Sequence, residues 1–472
     1  MVAIGAARPG QRSGLSPFAA TPGARYRLAV AALLVAALVV AGGASRADEP
    51  RQMLVRLVAL AVLAATAWPL ERPRLRFGKG WRYAAALTYL LVLVQLLPVP
   101  PELWARLPGH TVYADIAATS GATAWRPLSL TPDLTVNALL ALLPATAAAL
   151  CFAYLDGRGR ARVWLWLCGA AVLSALLGVL QLAAGGEAFR FYRETSADSA
   201  VGIFANRNHQ AAFLACALPL VGAVAGLRTI ERPSQHWLWL AVATAAVLEL
   251  GILATASRSG LVLGALGLAA AIWSFRASGA AWDVAEGRSR ALLLAGGFMA
   301  AVAAVFAATR LGVVDRLAHT DPVGEMRFQM IAPLTETVRA FFPWGSGFGS
   351  FETVYRQFEP DALLSTIYMN QAHNELLQLA IEGGLPALLL LASFLWWWST
   401  TALRIVRGDV SPARRGTALA AIAISAMLLA ESLVDYPLRT PLLGSLFAIA
   451  CVEMIRARST ARPARRNGLR QN

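Results

Sequence analysis

The chain has 472 residues, of which 57% are hydrophobic and only 15% charged, and its formal net charge is +15. A soluble protein of this length would carry more charge and fewer long apolar runs. The composition therefore excludes a soluble globular fold and predicts an all-α polytopic membrane protein.

Apolar runs of about 17–22 residues, the length that a transmembrane helix needs, follow one another along the chain, and we count about twelve. They lie near residues 28–45, 54–70, 83–98, 135–155, 163–184, 208–227, 237–256, 260–275, 291–309, 375–399, 415–434 and 440–456. Small residues after the first run resemble a signal-peptidase site. Because so many spans follow, we expect the first helix to remain uncleaved.

The charged residues between these runs orient the chain. With a cytoplasmic N-terminus, the inner segments carry a large excess of Lys and Arg, and the outer segments carry an excess of Asp and Glu. This is the positive-inside pattern, so we expect both termini in the cytoplasm. The basic residues then serve orientation and contacts with anionic lipid, and they do not indicate a nucleic-acid partner.

The chain accordingly divides into five parts. They are a disordered cytoplasmic tail (1–27), nine transmembrane helices (28–309), a large periplasmic loop (310–373), three further transmembrane helices (374–456) and a basic cytoplasmic tail (457–472). The 310–373 loop, between the ninth and tenth spans, is the longest polar segment, and loops of this length usually have a function. Glycines at alternate positions over 345–349 permit positive φ and close backbone approach.

Five polar clusters are expected on the outer side of the membrane, where polar groups at the mouth of a span are usually functional. They are residues 202–209, 257–260, 327, 373–374 and 431–439. Their common side predicts one shared site. Its predicted substrate-binding residues are Asn206, Arg207, His209, Asn374 and Arg439.

The residue types in these clusters suggest a reaction. Several arginines that face one polar mouth suit a diphosphate, which guanidinium groups bind through forked, charge-assisted hydrogen bonds. A histidine can accept a hydroxyl proton near neutral pH. The outer segments carry no carboxylate-rich metal motif, so we expect no metal or other cofactor and assign charge compensation to arginine. This set favours metal-independent transfer from a polyprenyl-diphosphate carrier to a hydroxyl acceptor.

Each cluster also has a purely structural interpretation. Arg258 could cap helix ends or reach lipid headgroups, and His373 could cap a span or lie at the interface. Arg327 could pair with Glu325, and residues 206–209 could form an interfacial cap without substrate.

For most of the acidic residues near the site, a structural role is the preferred interpretation. For Asp435 and Arg439, four residues apart, a structural ion pair is the preferred interpretation. Glu249, inside a span, indicates either function or a protonated or paired packing group. Glu382 lies about half a helical turn from His373 and is interpreted as a packing group. His373 would then be oriented by Asn374 or by the substrate, and residues 383–386 predict a bend.

Several motifs in a fixed order carry a resemblance to a known family. They are Gly-x-Phe-x-Asn-Arg-Asn-His at 202–209, Ser-Arg-Ser-Gly at 257–260, Arg327 followed by Pro-x-Gly-x-Gly-x-Gly at 343–349, His-Asn-x-x-Leu-Gln-x-x-x-Glu-Gly-Gly-Leu at 373–385 and Val-Asp-Tyr-Pro-Leu-Arg at 434–439. Over roughly residues 165–445 the chain resembles the O-antigen ligase and Wzy-type polysaccharide polymerase superfamily, which includes bacterial protein O-oligosaccharyltransferases.

The resemblance implies a GT-C-like glycosyltransferase of lipopolysaccharide or exopolysaccharide biosynthesis in the bacterial inner membrane. It implies an undecaprenyl-diphosphate-linked glycan donor, a glycan, lipid A-core or protein hydroxyl as acceptor, and inversion at the anomeric carbon. It places Arg258 and Arg327 on the diphosphate and makes His373 the base or the group that positions the acceptor. Glu431 stands where a His often occurs in relatives, which leaves the role of that position open.

Two other classes of function remain as alternatives, a twelve-span polysaccharide transporter or flippase and a non-catalytic export partner. Transporters usually place polar sites near the bilayer midplane and contain inverted repeats. The gathering of polar residues at one surface, without a detectable repeat, favours the transferase.

Overall fold

The computed structural model describes residues 22–46, 48–67, 79–121, 124–185, 188–196, 199–231, 235–279, 329–364, 369–408 and 410–459. This part of the chain is predominantly helical, as predicted, with one antiparallel pair of short strands, Pro98–Val99 (β1) and Arg126–Pro127 (β2). The α-helices are α1 Pro22–Ala41, α2 Pro50–Ala67, α3 Lys79–Val94, α4 Pro101–Ala105, α5 Thr111–Thr119, α6 Pro132–Tyr154, α7 Gly157–Ala184, α8 Arg207–Glu231, α9 Gln235–Ala254, α10 Arg258–Ala277, α11 Ile331–Phe341, α12 Phe351–Tyr355, α13 Glu375–Val406, α14 Pro412–Glu431 and α15 Pro441–Ser459. Short 3₁₀ helices cover Asp361–Leu363 and Pro437–Arg439.

Within the described ranges, eight helices are long and apolar enough to cross a membrane: α1, α2, α6 to α10 and α13. This confirms a polytopic membrane protein. Helix α3 covers the predicted third span but is shorter, and α14 and α15 cover the predicted last two spans. The predicted ninth span, 291–309, and the first part of the 310–373 loop lie outside the described residues, so the count of about twelve stays a prediction.

Helix α8 is the centre of the bundle. It packs against α7, α9, α10 and α14. Of the residues in its apolar 18-residue stretch, 89% are buried. Glycines allow its backbone to approach α10 closely: a Cβ at Gly222 would lie 2.1 Å from the carbonyl oxygen of Ala271. Small residues at such contacts are typical of membrane helices, because packing rather than the hydrophobic effect holds them together in lipid.

Helix α13 bends about a third of the way from its N-terminus, as its Gly-Gly-x-Pro sequence predicts. Gly384 has φ 58° and ψ −153°, a conformation that glycine adopts readily. A Cβ at this position would lie 2.2 Å from the carbonyl oxygen of Pro343, so the 343–349 segment packs directly on the bend. The amide of Leu385 donates to that same oxygen at 2.8 Å.

The described part of the predicted 310–373 loop is folded. Helices α11 and α12 bury a small apolar cluster against the start of α13, which consists of Met330, Leu334, Phe341, Phe351, Val354, Tyr355, Ala372 and Ile381. Gly345, Gly347 and Gly349 all have positive φ, as their alternating pattern predicts. This packing holds His373 immediately before the first turn of α13.

Candidate active site

Four of the five predicted polar clusters come together at one end of the helical bundle. Helices α8, α10 and α13 begin there, and α9 and α14 end there. Hydrogen bonds between side chains connect the clusters directly: Asn208 and His373 both contact Asp435, and Ser257 contacts Asn208. The fifth cluster, Arg327, lies outside the described residues, so its place in the site stays a prediction.

The centre of this arrangement is a histidine–aspartate pair. Nδ1 of His373 lies 3.2 Å from Oδ1 of Asp435. With Asp435 ionised, its carboxylate can only accept, so Nδ1 of a neutral His373 imidazole donates to it and Nε2 is left as the acceptor. The side chain of His373 is 13% exposed, whereas that of Asp435 is fully buried.

The buried carboxylate of Asp435 is held by several further contacts. Its Oδ2 accepts from Nδ2 of Asn208 at 2.6 Å, and its Oδ1 accepts from the amide of Tyr436 at 2.9 Å. The ring of Tyr436 makes edge contacts with two imidazoles, with centroid distances of 4.8 Å to His373 and 5.0 Å to His209. A buried carboxylate needs such donors, and together they fix the direction from which it faces His373.

The preferred interpretation of Asp435 and Arg439 as an ion pair is wrong. Arg439 pairs instead with Glu382, at 3.2 Å between Nη2 and Oε2. The reason is local geometry: the chain leaves α14 at Glu431 and passes through a turn into the 3₁₀ helix Pro437–Arg439. Residues four apart share a face only in a continuous α-helix.

The expectation that Asn374 orients His373 is also wrong. The side chain of Asn374 caps α13, accepting from the amide of Leu377 at 3.0 Å and donating to the carbonyl oxygen of Leu433 at 2.9 Å. Asp435 is the orienting group that sequence reasoning missed. One feature of the sequence could have pointed to this role: Asp435 belongs to the 431–439 cluster, which is predicted to lie on the same side of the membrane as His373.

Arg258 lies at the start of α10 in a tightly bonded turn. The hydroxyl of Ser257 caps this helix, accepting from the amide of Gly260 at 3.0 Å, and it donates to Oδ1 of Asn208 at 2.8 Å. Ser259 donates to Glu431 at 2.8 Å, which gives that buried carboxylate a partner in the same turn. Because Ser257 performs the capping, the exposed Arg258 is not needed for it.

The other predicted substrate-binding residues occupy different depths. Asn206 accepts from the amide of Asn208 at 2.8 Å, and Arg207 is the partly exposed first residue of α8. His209 is only 1% exposed, and its Nε2 lies 3.9 Å from Oδ1 of Asp435. His209 therefore lies behind the carboxylate, whereas Asn206 and Arg207 are near the surface.

A cavity of about 770 Å³ reaches this end of the bundle from another direction. It lies between α2, α3, α6, α13 and α15, and we name it the leaflet cavity. Arg439, Glu382 and Gln371 belong to its lining. Gln371 is two residues before His373 along the chain, but neither His373 nor Asp435 lines the cavity.

Fold and site together define a polytopic α-helical membrane protein with a histidine–aspartate pair where its helices meet one surface. Residues 240–392 match the family described as O-antigen ligase, which confirms the resemblance to the O-antigen ligase and polymerase superfamily. The matched range includes most of α9, all of α10, and His373. The family indicates an enzyme of ligase or polymerase type that acts on a lipid-linked glycan and an acceptor. A comparison with curated proteins gives no match.

Proposed function

We propose that this protein is a glycosyltransferase that transfers or polymerises glycan from an undecaprenyl-diphosphate-linked donor to a hydroxyl acceptor at the periplasmic face of the bacterial inner membrane. The single observation that carries the proposal is the bond between His373 and Asp435, beside the turn that bears Arg258. A free Nε2 on an oriented imidazole is what a general base needs.

In the proposed reaction, Nε2 of His373 takes the proton from the acceptor hydroxyl as its oxygen attacks the anomeric carbon of the donor. The bond between that carbon and the diphosphate oxygen breaks, and the configuration inverts because attack comes from the opposite face. Arg258, with Arg327, compensates the negative charge that develops on the leaving diphosphate. Asp435 does not take the proton and stabilises the imidazolium that forms.

Reconstitution with lipid-linked glycan tests this proposal. Wild-type protein should transfer glycan without added metal and in the presence of EDTA. His373→Ala should lower the rate by about 10²–10⁴-fold, the usual contribution of a general base. His236→Ala, in α9 near the other end of the bundle, is the matched control and should retain activity.

The products separate the two reactions that the family includes. A ladder of lengths would identify a polymerase, and a single transfer to an acceptor would identify a ligase. Full activity in His373→Ala would contradict the assigned base, and loss of wild-type activity in EDTA would contradict the arginine-based account of the leaving group.

A further inference from the structure

The turn between α14 and α15, which carries Asp435, is bonded to the beginning of α13. The backbone amide of Glu375 donates to the carbonyl oxygen of Ser432 at 2.8 Å, and the side-chain amide of Asn374 donates to that of Leu433 at 2.9 Å. These two bonds attach the first half of the turn to the two residues that directly follow His373 in the chain.

The side chain of Glu375 connects the two halves of this turn. Its Oε2 accepts from the hydroxyl of Ser432 at 3.2 Å, and its Oε1 accepts from the backbone amide of Leu438 at 3.0 Å. Ser432 and Leu438 lie three residues before and three residues after Asp435. One carboxylate therefore fixes both ends of the segment that presents Asp435 to the imidazole.

The backbone of His373 needs support from its surroundings. Its φ is 48°, in the left-handed region that residues with a Cβ seldom adopt. Such a conformation persists only where neighbouring contacts hold it. On one side the amide of Ala372 donates to Oε1 of Gln378 at 3.0 Å, and on the other side Glu375 is bonded to the Asp435 turn.

A carboxylate in the first turn of a helix also has a simpler explanation. Negative charge is favourable there because it lies near the positive end of the helix dipole. That effect requires no particular direction of the side chain, whereas the hydrogen bonds described for the Glu375 carboxylate both go to the 432–438 segment. The capping of α13 is performed by Asn374. The direction of Glu375 thus indicates a contact with the Asp435 turn rather than a role in starting the helix.

We propose that Glu375 is a positioning residue for the transfer reaction, which holds Asp435 at hydrogen-bond distance from His373 and so keeps the imidazole directed at the acceptor. This inference rests on the proposed function and adds a residue to it. Glu375 acts through the geometry of its two bonds. Its charge is not required, and it takes no part in the proton transfer itself.

Glutamine can reproduce both contacts without the charge. In Glu375→Gln, the amide oxygen accepts from the amide of Leu438, and the NH₂ group donates to the oxygen of Ser432. The hydrogen of that hydroxyl then goes to the carbonyl oxygen of Leu428, 2.9 Å away. Glu375→Ala removes the same charge and both contacts, so the two variants separate charge from geometry.

Kinetics of glycan transfer in proteoliposomes, corrected for inserted protein, test the proposal. Glu375→Ala should lower kcat by about tenfold to 10²-fold, since misplacing a reacting group by about 1 Å can cost about 10²-fold. The KM for the lipid-linked donor should change by less than about threefold, because the Arg258 turn is held by other bonds, to Asn208 and Glu431.

Two further variants and a control complete this comparison. Glu375→Gln should keep kcat within about threefold of wild type, because both hydrogen bonds can form again. Ser432→Ala removes only the Oε2 contact and should lower kcat by about three- to tenfold, the usual range for one hydrogen bond. Glu336→Ala, at an exposed carboxylate of α11, should leave kcat and KM unchanged.

A double-mutant cycle shows whether Glu375 acts through Asp435. Asp435→Asn by itself disturbs the orientation of His373, so adding Glu375→Ala should lower the remaining kcat by less than about threefold. A general loss of stability would instead lower kcat by the same factor in both backgrounds.

Three results would overturn the assignment of Glu375. Unchanged kcat in both Glu375→Ala and Ser432→Ala would leave the contact without a role in the reaction. Equal losses in Glu375→Gln and Glu375→Ala would show that the charge acts, and fully additive losses with Asp435→Asn would show that Glu375 does not act through Asp435. Each of these results is obtained with an active wild type and leaves the proposed function standing, whereas a wild-type protein that transfers no glycan would contradict the proposed function itself.

Discussion

At the scale of residues, Asp435 determines how His373 can act. In Asp435→Asn, one of the two carboxylate oxygens becomes an NH₂ group. Because Asn208 and the amide of Tyr436 both donate to this carboxylate, as does His373, the new NH₂ must face a donor. The imidazole then loses its preferred tautomer or its orientation.

We therefore expect glycan transfer by Asp435→Asn to fall by about 10²–10⁴-fold while the protein still inserts into membranes. Rates in proteoliposomes, corrected for the amount of inserted protein, measure this. Glu453→Gln, at a buried carboxylate near the other end of α15, is the control and should stay near wild type. A rate for Asp435→Asn within about threefold of wild type would mean that another group orients His373.

The residue types, and the single end of the bundle at which the described polar clusters meet, could be predicted from the sequence, but the hydrogen-bonding and ion-pair partners could not. The position of Asp435 in a polar cluster indicated importance, yet a four-residue spacing favoured a pair with Arg439 that the break in the helix after Glu431 prevents. The pairing of Glu382 with Arg439 joins residues from two distant segments. Spacing along a helix carries no information about such contacts.

At the scale of elements, the contact of α8 with α10 depends on glycine. Gly222→Ala places a Cβ about 2.1 Å from the carbonyl oxygen of Ala271, so the two helices must separate. Overpacking of this kind costs about 1–3 kcal/mol. We expect a lower midpoint of thermal unfolding in detergent for this variant.

Gly169→Ala provides the matched control for that measurement. Gly169 is an exposed position in α7 with no described atom within 4 Å of an added Cβ. Since alanine favours the helix over glycine, this variant should be neutral or slightly more stable. Equal thermal midpoints for the two variants would show that close approach at Gly222 does not limit stability.

The stability of the segment that contains α4 and α5 depends on pH through one buried histidine. Burial against the Trp104 ring, with a centroid distance of 4.6 Å, lowers the pKa of His110 from 6.5 to about 4. The unfolded segment takes up a proton near pH 6.5 and the folded one does not. Stability is therefore full above pH 6.5, decreases as the pH falls towards 4 and does not change further below it.

Hydrogen exchange of residues 101–119 measures this dependence once intrinsic rates are corrected for pH. Protection should decrease between pH 6.5 and 4, by an amount on the order of 2–3 kcal/mol. His110→Phe keeps a ring beside Trp104 and should remove the decrease, while exchange in α6 serves as an internal reference. A decrease that persists in His110→Phe would assign the pH dependence to another group.

At the scale of the whole molecule, hydrophobic runs predicted the helices well because lipid forces each span to satisfy its own backbone. The predicted helix boundaries were less accurate. The first turn of a helix can be polar, as in α7, and an apolar run does not include such a turn. The leaflet cavity was beyond prediction. It lies between α2, α3, α6, α13 and α15, several of which also pack against one another, and a single sequence does not show which helices are neighbours.

The orientation of the molecule, which the charge pattern predicts, decides whether the site faces the donor outside the cell. Ala362 is exposed beside the site end of α13, and Arg407 is exposed just past its opposite end. Ala362→Cys should react with a membrane-impermeant maleimide in intact spheroplasts, and Arg407→Cys only after permeabilisation. Wild type is the blank, because its four cysteines lie within helices. The reverse labelling pattern would put His373 on the cytoplasmic side, where lipid-linked glycan that has already crossed the membrane could not reach it.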